Sequence, residues 1–456
     1  MVTSSGPPRL TLTEATALGA IAVLSLGSFW AMGRTSYDVW GGIVVGVVLV
    51  VANVPFLRRA ARTIGDPRVG ALLPWAFGAK LVASLVRYAI VFAVYDGNAD
   101  ASTYHDAGVL LFPGYRSGEF GAVVVGPPGT IFMRQAVGAV YAVIGPTKIG
   151  GFLVFATAGF WGTWLFIRAF AVACPEGDLR RYATLLLFLP SVLFWPASIG
   201  KEAWMTLALG IAAYGTALAL THRRRGFRLL LVGVLLANVV RPHVAGLLLV
   251  GFAVALLLRR SPGRSSLLAP VAKAGGILVL LVAGVVVVNG AERVLGIDQF
   301  NTDVVSTTLE RAQRQTSGGG SAFDSSTPKT DLSPSRFPSA VVGVLFRPFP
   351  WEASNPLAFA ASGEGLFLAL LFARRWRNVA GSIRSLLRTP YVLFATTYSI
   401  LFIYGFSAFA NFGVLTRQRV QVFPFILVLV CVPEFRRRDQ GGWRSLLLDE
   451  PVAVRA

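Results

Sequence analysis

The residues best suited to chemistry lie close together in one polar segment, which runs from Asp96 to Asp106. It reads Asp96-Gly-Asn-Ala-Asp100-Ala-Ser-Thr-Tyr104-His105-Asp106 and contains three carboxylates, a tyrosine and one of only three histidines in the chain. If the segment is helical from Asp100, that carboxylate and Tyr104 share one helix face at positions i and i+4. A carboxylate with aromatic and imidazole neighbours can act as a general base. The alternative is a solvated loop whose charges cap a helix end.

Almost everything around this segment is apolar. The chain of 456 residues is 54% hydrophobic and only 14% charged, and apolar runs such as 89–95, 229–240 and 276–288 recur along its length. This composition indicates a polytopic, all-α integral membrane protein. The net charge of +20 comes from short basic clusters between the apolar runs. Such clusters are typical of cytoplasmic loops, so the charge is interpreted as orientation and not as a nucleic-acid site.

Placing each basic cluster in the cytoplasm gives a complete topology. About twelve spans result, with both termini inside and no separable soluble domain in 1–456. The polar segment then opens an outer loop of about 96–149, and a second outer loop covers about 291–357. Residues of about 433–456 form a cytoplasmic tail, and 131–144 form an interfacial helix on the outer side.

Two hairpins in the middle of the chain have polar tips, at Lys201-Glu202 and at Arg241-Pro242-His243. Some of their arms contain only about 12–15 residues, where a full crossing needs roughly 20. The tips are therefore expected to lie below the outer surface, in a polar cavity. Pro242 is expected to interrupt helical hydrogen bonding at the second tip.

With this topology, the polar residues that a membrane tolerates badly are all expected to face the outer side. Such residues cost a few kcal/mol each near hydrocarbon and normally line a site. Arginine forks bind phosphate oxygens, and carboxylates can take a proton from a hydroxyl, so the set suits a substrate with both groups. The residues are Asp96, Asp100, Tyr104, His105, Asp106, Lys201, Glu202, Arg241, His243, Arg347, Glu352, Arg417 and Arg419.

Each later group in this set also has a structural interpretation. Arg241 and His243 can snorkel to the interface, and Lys201-Glu202 can be a local ion pair that caps a helix. Arg417 and Arg419 can anchor lipid headgroups, and the stretch 346–352, which contains Arg347 and Glu352, can be an aromatic belt.

Asp100-Ala101-Ser-Thr-Tyr104-His105 resembles the first outer loop of GT-C superfamily membrane glycosyltransferases. That loop often reads Asp-Glu-x-x-Tyr in the family, and its Asp is the base toward the acceptor; here Ala101 replaces the second acid. Three further stretches resemble bacterial envelope-polysaccharide membrane proteins, many of which are polymerase-like. They are Pro190–Trp195 with Gly200-Lys201-Glu202, Phe346–Glu352, and Arg417-Gln-Arg419.

The resemblance implies a GT-C-like glycosyltransferase in a bacterial plasma membrane, acting in envelope polysaccharide biosynthesis. A polyprenyl-phosphate sugar would be the donor and an envelope glycan or lipid the acceptor. Asp100 would be the base, positioned by Tyr104 and His105, and Arg241, Arg417, Arg419 and Lys201 would hold the donor phosphate. A divalent cation is a candidate cofactor, with Asp96 or Asp106 in place of the missing acid. The alternatives are a repeat-unit polymerase and a transporter or flippase of lipid-linked sugars.

Overall fold

The computed structural model describes residues 32–121, 124–221, 225–258, 333–407, 409 and 411–433, with scattered residues between 19 and 30 and between 274 and 285. Regular secondary structure in these parts of the chain is helical, which confirms the all-α prediction. The α-helices are α1 (Tyr37–Thr63), α2 (Pro67–Ala89), α3 (Asp100–Ser117), α4 (Pro128–Ile144), α5 (Lys148–Ala173), α6 (Leu179–Phe188), α7 (Pro190–Phe194), α8 (Lys201–Leu220), α9 (Arg225–Val240), α10 (Pro242–Leu258), α11 (Phe337–Leu345), α12 (Pro356–Arg374), α13 (Trp376–Arg384), α14 (Pro390–Phe406), α15 (Phe412–Gln418) and α16 (Phe423–Cys431).

Five helices in the described residues are long and apolar enough to cross a membrane: α1, α2 with its π-helical extension to Val94, α5, α8 and α12. A sixth span results if α15, the 3₁₀ turn Arg419–Gln421 and α16 count as one path, bent by 60°. Helices α10 and α14 are apolar but shorter. The chain is therefore a helical membrane protein. Two of the twelve spans that the sequence predicts, at about 15–33 and 271–289, lie mostly outside the described residues.

Proline and capping residues set several helix boundaries at the end of the bundle that carries the polar segment. Thr147, Asn355 and Asn411 each accept a hydrogen bond from a backbone N–H in the first turn of α5, α12 and α15, at 3.1, 2.9 and 3.1 Å. Such caps satisfy N–H groups that a helix leaves unpaired. Pro242 separates α9 from α10, as the sequence predicts.

Glycines allow the central helices α5, α8 and α9 to pack backbone against backbone. A Cβ on Gly162 of α5 would clash with the backbone of Thr206, and one on Gly210 of α8 would clash with Gly162 itself. On the other side of α8, Gly215 meets the backbone of Leu230. Close approach of this kind replaces the hydrophobic effect as a source of helix association in a membrane. The start of α8, which carries Lys201 and Glu202, is thereby fixed.

The bundle has two distinct ends. Helices α1 and α5 run parallel, because Asp38 at the start of α1 accepts from the N–H of Ile149 at 3.2 Å, while the carbonyl of Thr63 at its end accepts from Arg168 at 2.6 Å. Helix α2 runs the other way and delivers the chain to Asp96. We call the end that carries Asp38 and Asp96 the cavity end and the other the basic end.

Charge separates along the same axis. Described acidic residues at the basic end are Asp66, Glu176 and Asp178. Described basic residues there are Arg58, Arg59, Arg62, Arg68, Arg168, Arg180, Arg181, Arg225, Arg228, Arg374, Arg375, Arg377, Arg384 and Arg388. This asymmetry agrees with the charge pattern from which the orientation was predicted. The orientation itself, and the cytoplasmic placement of the termini, stay predictions.

Candidate functional site

A polar cavity of about 660 Å³ opens at the cavity end of the bundle. Its walls come from the end of α2, the loop that follows it, the first turn of α3, the turn before α8, the start of α12, and α15. Asp100, Asp106, Glu202, Arg417 and Arg87 are the charged residues that line it. The polar segment and three distant parts of the chain therefore meet in one place.

The backbone of the polar segment reverses direction before it enters this cavity wall. Asp96 has φ 48° and Gly97 has φ 76°, both in the left-handed region that aspartate and glycine adopt at lower cost than other residues. The turn follows the π-helical extension of α2, and α3 begins at Asp100, so the condition under which Asp100 and Tyr104 share a helix face is met. Asp100 thus lies at a helix N-terminus, where a carboxylate is favoured by the helix dipole. Asp96 serves the turn and does not line the cavity.

Four charged side chains form what we call the cavity cluster: Asp100, Glu202, Arg241 and Arg417. Arg417 Nη1 lies 3.0 Å from Asp100 Oδ2, and its Nε lies 3.3 Å from Glu202 Oε1. The same Glu202 oxygen accepts from Arg241 Nη2 at 2.9 Å. Two carboxylates therefore face two guanidinium groups and neutralise them. Asp100 is the more accessible of the two carboxylates, since 61% of its side chain is exposed, compared with 10% for Glu202.

The two guanidinium groups of the cavity cluster keep unused hydrogen-bonding capacity. Arg241 Nη1 and Arg417 Nε are buried and have no hydrogen-bond partner among the described residues. The contact of Arg417 Nε with Glu202 is an ion pair without hydrogen-bond geometry. A buried donor without an acceptor costs about 1–3 kcal/mol. The two carboxylates therefore do not use all the donors of the two guanidinium groups.

Arg419 does not share this cavity, although the sequence groups it with Arg417. Its side chain is 0% exposed, and Nη1 donates to the carbonyl of Arg347 at 2.8 Å. Its Nη2 lies 3.5 Å from Glu364 Oε1, while Glu364 Oε2 accepts from the N–H of Ser191 at 2.6 Å. The guanidinium thus joins α12, α7 and the loop before α12. The prediction that Arg419 binds phosphate conflicts with this burial, because no surface is left for a ligand.

Tyr104 and His105 were predicted to position the acceptor, but both side chains are buried behind the cavity wall. Burial and the carboxylates of Asp100 and Glu202 raise the pKa of Tyr104 to about 12, so its phenol stays neutral. His105 Nδ1 is 2.8 Å from the Tyr141 hydroxyl on α4. Burial and the charge of Lys148 lower the pKa of His105. Neither side chain lines the cavity, so they support α3 and do not touch a ligand there.

The other predicted phosphate ligands have local partners outside the cavity. Lys201 Nζ donates to Thr130 Oγ1 on α4 at 2.9 Å. Arg347 forms a forked ion pair with Glu352, with Nε 2.9 Å from Oε1. His243 is exposed on the surface of the bundle, with its ring 6.1 Å from that of Phe406. None of these four side chains lines the cavity, and their role as ligands stays a prediction.

The described residues contain no group of three or more His, Cys, Asp or Glu side chains that could hold a metal ion. Asp106 lines the cavity, whereas Asp96 lies in the turn before α3. A divalent cation at either carboxylate stays a prediction, and it would need oxygen atoms from a substrate to complete its coordination.

Arg87 is the cavity residue that sequence reasoning missed. It lies on α2 inside a span, and its guanidinium stacks over Phe194 and Trp195 with centroid distances of 4.8 and 4.6 Å. The available signal was a lone arginine within an apolar run, since an ionisable residue inside a membrane span is a functional candidate by default. Trp195 was noted only as part of a resembling stretch, and it also lines the cavity.

Protein-family models, curated proteins and solved structures were compared with the chain, and none matched.

Proposed function

We propose that this chain is a membrane glycosyltransferase of GT-C type that transfers a sugar from a polyprenyl-phosphate donor to a hydroxyl of an envelope glycan or lipid. The single observation that carries the proposal is the pair Asp100 and Arg417, 3.0 Å apart at the open side of a polar cavity. The carboxylate suits a base and the guanidinium suits a phosphate. Both requirements of the reaction are met within one hydrogen-bond length.

In the proposed reaction, the acceptor hydroxyl oxygen attacks the anomeric carbon of the donor sugar. The bond between that carbon and the phosphate oxygen breaks, and the hydroxyl proton passes to Asp100. The lipid phosphate leaves with the bonding electron pair, and Arg417 stabilises its negative charge. Because donor phosphate and Asp100 compete for Arg417, donor binding frees the carboxylate for the acceptor.

Glu202 and Arg241 have a supporting role in this proposal. Glu202 holds Arg417 and Arg241 together from the buried side of the cavity. If Arg417 moved away, Glu202 would lose one of its two cations in a buried environment, which is unfavourable. Glu202 and Arg241 therefore keep Arg417 in place. Arg241 is within reach of the site only through Glu202. Its predicted contact with donor phosphate is therefore replaced, in our proposal, by a positioning role.

The proposal also includes the finer topology: about twelve spans, termini in the cytoplasm, and the cavity end facing outward in a bacterial plasma membrane. The arginine-rich basic end supports that orientation, because basic residues favour the cytoplasmic side. A donor with a polyprenyl tail would then enter from the outer leaflet while its phosphate reaches the polar cavity.

The decisive experiment is transfer of radiolabelled sugar by the purified full-length protein from a panel of polyprenyl-phosphate sugars to extracted envelope glycans and lipids. Label in the acceptor fraction, lost in Asp100→Asn, is the expected result. A requirement for a pyrophosphate-linked oligosaccharide would favour the repeat-unit polymerase instead. Movement of labelled lipid across proteoliposomes, with no new glycosidic bond, would identify a carrier and refute the proposal.

A further inference from the structure

Arg87 differs from every other guanidinium at the cavity in having no polar partner. Among the described residues it forms no ion pair and no hydrogen bond through its side chain, and its Nε is buried without an acceptor. Arg417 and Arg241, by comparison, are neutralised by Asp100 and Glu202. The cavity cluster is therefore close to neutral by itself. Arg87 adds to the same cavity wall a positive charge that forms no ion pair with any described carboxylate.

The two aromatic rings around Arg87 hold its guanidinium without using its hydrogen-bonding edge. The contacts with Phe194 and Trp195 are cation–π contacts and use none of the hydrogen-bond donors of Arg87, which stay available to an anion. A lysine could make similar cation–π contacts but could not bind phosphate oxygens through a planar fork.

The platform that carries these rings is itself fixed from two sides. Glu364 accepts from the N–H of Ser191 at the start of α7, at 2.6 Å. The buried Lys80 on α2 donates to the carbonyls of Val192 and Leu193 at 2.7 and 3.0 Å. Both ends of this short helix are thus tied, and Trp195 follows directly after it. The position of the Arg87 guanidinium is therefore set before any ligand arrives.

We infer that Arg87, held by Phe194 and Trp195, is an anion subsite for the phosphate of a lipid-linked phosphate ester. The inference rests on the proposed function and deepens it by assigning the main phosphate contact to a residue of α2. Arg87 and Arg417 line one cavity and interact electrostatically. A ligand shared by two guanidinium forks must present several oxygens in different directions. Phosphate meets this requirement, whereas a planar carboxylate serves one fork.

This assignment gives Arg87 and Arg417 different roles toward the phosphate. Arg417 is shared with Asp100 and Glu202, so a phosphate must compete for it. Arg87 offers its donors without competition. The subsite at Arg87 therefore provides binding of the intact donor, and Arg417 provides the contact that strengthens as the phosphate leaves.

The test is calorimetric titration of the purified full-length protein with farnesyl phosphate, a short polyprenyl phosphate, and with farnesol as the uncharged counterpart. We expect farnesyl phosphate to bind more tightly than farnesol and Arg87→Gln to weaken it by about 10- to 100-fold, as for the loss of a charged hydrogen bond. Arg87→Lys should recover only part of the affinity, because the planar fork is missing. Trp195→Leu should weaken binding in the same direction without removing a charge.

Arg168→Gln is the matched control. Arg168 is also half-buried and also stacks on an aromatic ring, that of Tyr214 at 5.7 Å, but it lies at the basic end and donates to Thr63. Its loss should leave farnesyl phosphate binding unchanged. Inorganic phosphate and a short-chain phosphatidylglycerol complete the panel, and both should bind more weakly than farnesyl phosphate. If only phosphatidylglycerol depends on Arg87, the site is a headgroup anchor and the inference is overturned.

Two further results would overturn the Arg87 subsite. One is unchanged affinity for farnesyl phosphate in a folded Arg87→Gln variant. The other is the absence of any phosphate-dependent binding by the parent protein. If Arg87→Gln does not fold, Arg87→Lys and Trp195→Leu decide, and parent-like affinity in both refutes the subsite. The titrations involve no sugar transfer. Arg87-dependent binding in a protein that transfers no sugar would thus retain the subsite and refute the glycosyltransferase. Transfer with Arg87-independent binding would do the reverse.

Discussion

Arg417 and Arg419 are two residues apart, yet they belong to opposite kinds of environment. Arg417 reaches a cavity, and 28% of its side chain is exposed beside Asp100. Arg419 is 0% exposed and is surrounded by backbone carbonyls and Glu364. Residues two apart do not share a helix face. The chain also bends by 60° between α15 and α16. One guanidinium therefore points toward the cavity and the other into the protein. Charge in a membrane span thus has two uses here: one binds ligands and the other joins helices.

The difference lies in what each arginine has as partners. Backbone carbonyls and a buried carboxylate accept from both Nη1 and Nη2 of Arg419, and none of these partners is open to replacement by a ligand. Arg417 is paired with side chains that a ligand can replace, one of them largely exposed. We therefore expect substitutions near Arg417 to change function with little loss of stability. Substitutions near Arg419 should do the opposite.

The largest expected effect tests the functional side, through Asp100→Asn. The amide keeps the size and polarity of the carboxylate but cannot accept the acceptor's proton. Sugar transfer should fall about 10²- to 10⁴-fold. Donor affinity should be retained or strengthened, since Arg417 loses a competing anion. Transfer rate and donor affinity are measured side by side, with Asp96→Asn as the control because Asp96 does not line the cavity. An unchanged transfer rate would remove Asp100 from the mechanism.

The structural role is tested by Arg419→Met, which keeps an unbranched apolar stem and removes the guanidinium group with its charge. Glu364 would remain buried without its cation, and breaking one partner of a buried pair costs about 3–5 kcal/mol. Cys174 and Cys431 are buried free thiols, so a thiol-reactive dye labels them only when the protein unfolds. The temperature at which labelling begins therefore reports the loss of stability. Arg417→Met is the matched comparison and should shift the transition far less. Equal destabilisation by the two variants would contradict the distinction drawn above.

A smaller effect is expected for Arg417→Gln on donor binding. Because Asp100 and Glu202 compete with phosphate for Arg417, its loss should weaken donor affinity by up to about 10-fold, which is less than expected for Arg87→Gln. Glu202 keeps Arg241 as a partner in this variant, at 2.9 Å, so the fold should tolerate it. Titration with the donor measures the affinity, and Lys201→Gln provides the comparison, since Lys201 bonds to Thr130 away from the cavity. A greater loss in Lys201→Gln would move the phosphate site toward α4.

The smallest effect concerns His105, which resembles Arg419 in having only internal partners. Its pKa is lowered by burial and by Lys148, so the folded state favours the neutral ring. Stability from this group is present above the ordinary pKa of about 6.5 and is lost as the pH falls toward the lowered value. Thermal unfolding measured between pH 7.5 and pH 5 should show a decline that His105→Gln reduces. A rise in stability on acidification would contradict the assignment of a neutral ring bonded to Tyr141.

Much of the helical architecture follows from sequence. Apolar runs of sufficient length and the break at Pro242 were predictable from composition and from the properties of proline, and the spacing of Asp100 and Tyr104 is compatible with the helix that begins at Asp100. Asp100, Glu202 and Arg417 were predicted to lie on the outer side of the membrane. That prediction came from the positions of the basic clusters and the lengths of the spans. The partners of each charge were not predictable. Pairing of Asp100 with Arg417 depends on helix packing across the chain, and no local pattern distinguishes Arg417 from Arg419.

The same limit explains the roles of Tyr104 and His105. Their spacing from Asp100 was correct for a helix, but a shared face does not say whether that face meets a cavity or another helix. Glycine contacts decide this in part, since Gly108 on α3 and Gly138 on α4 let these two helices approach closely. That packing buries His105 against Tyr141. Conversely, Arg87 lies within an apolar span, and the composition of a span does not show that one of its ionisable residues lines a cavity.

The ion pair between Asp100 and Arg417 joins residues 317 positions apart, which has a consequence for biosynthesis. A nascent chain inserts its helices in order, so the carboxylate reaches the bilayer long before the arginine that pairs with it is synthesised. Until α15 is in place, Asp100 and Glu202 lack Arg417. We expect chains that stop after α14 to insert but to transfer no sugar, because Asp100 lacks Arg417, and to be less stable than the full chain, because Glu364 lacks Arg419. Co-expression with a separate fragment that carries α15 and α16 should restore the site, because completion requires only that the last helices arrive.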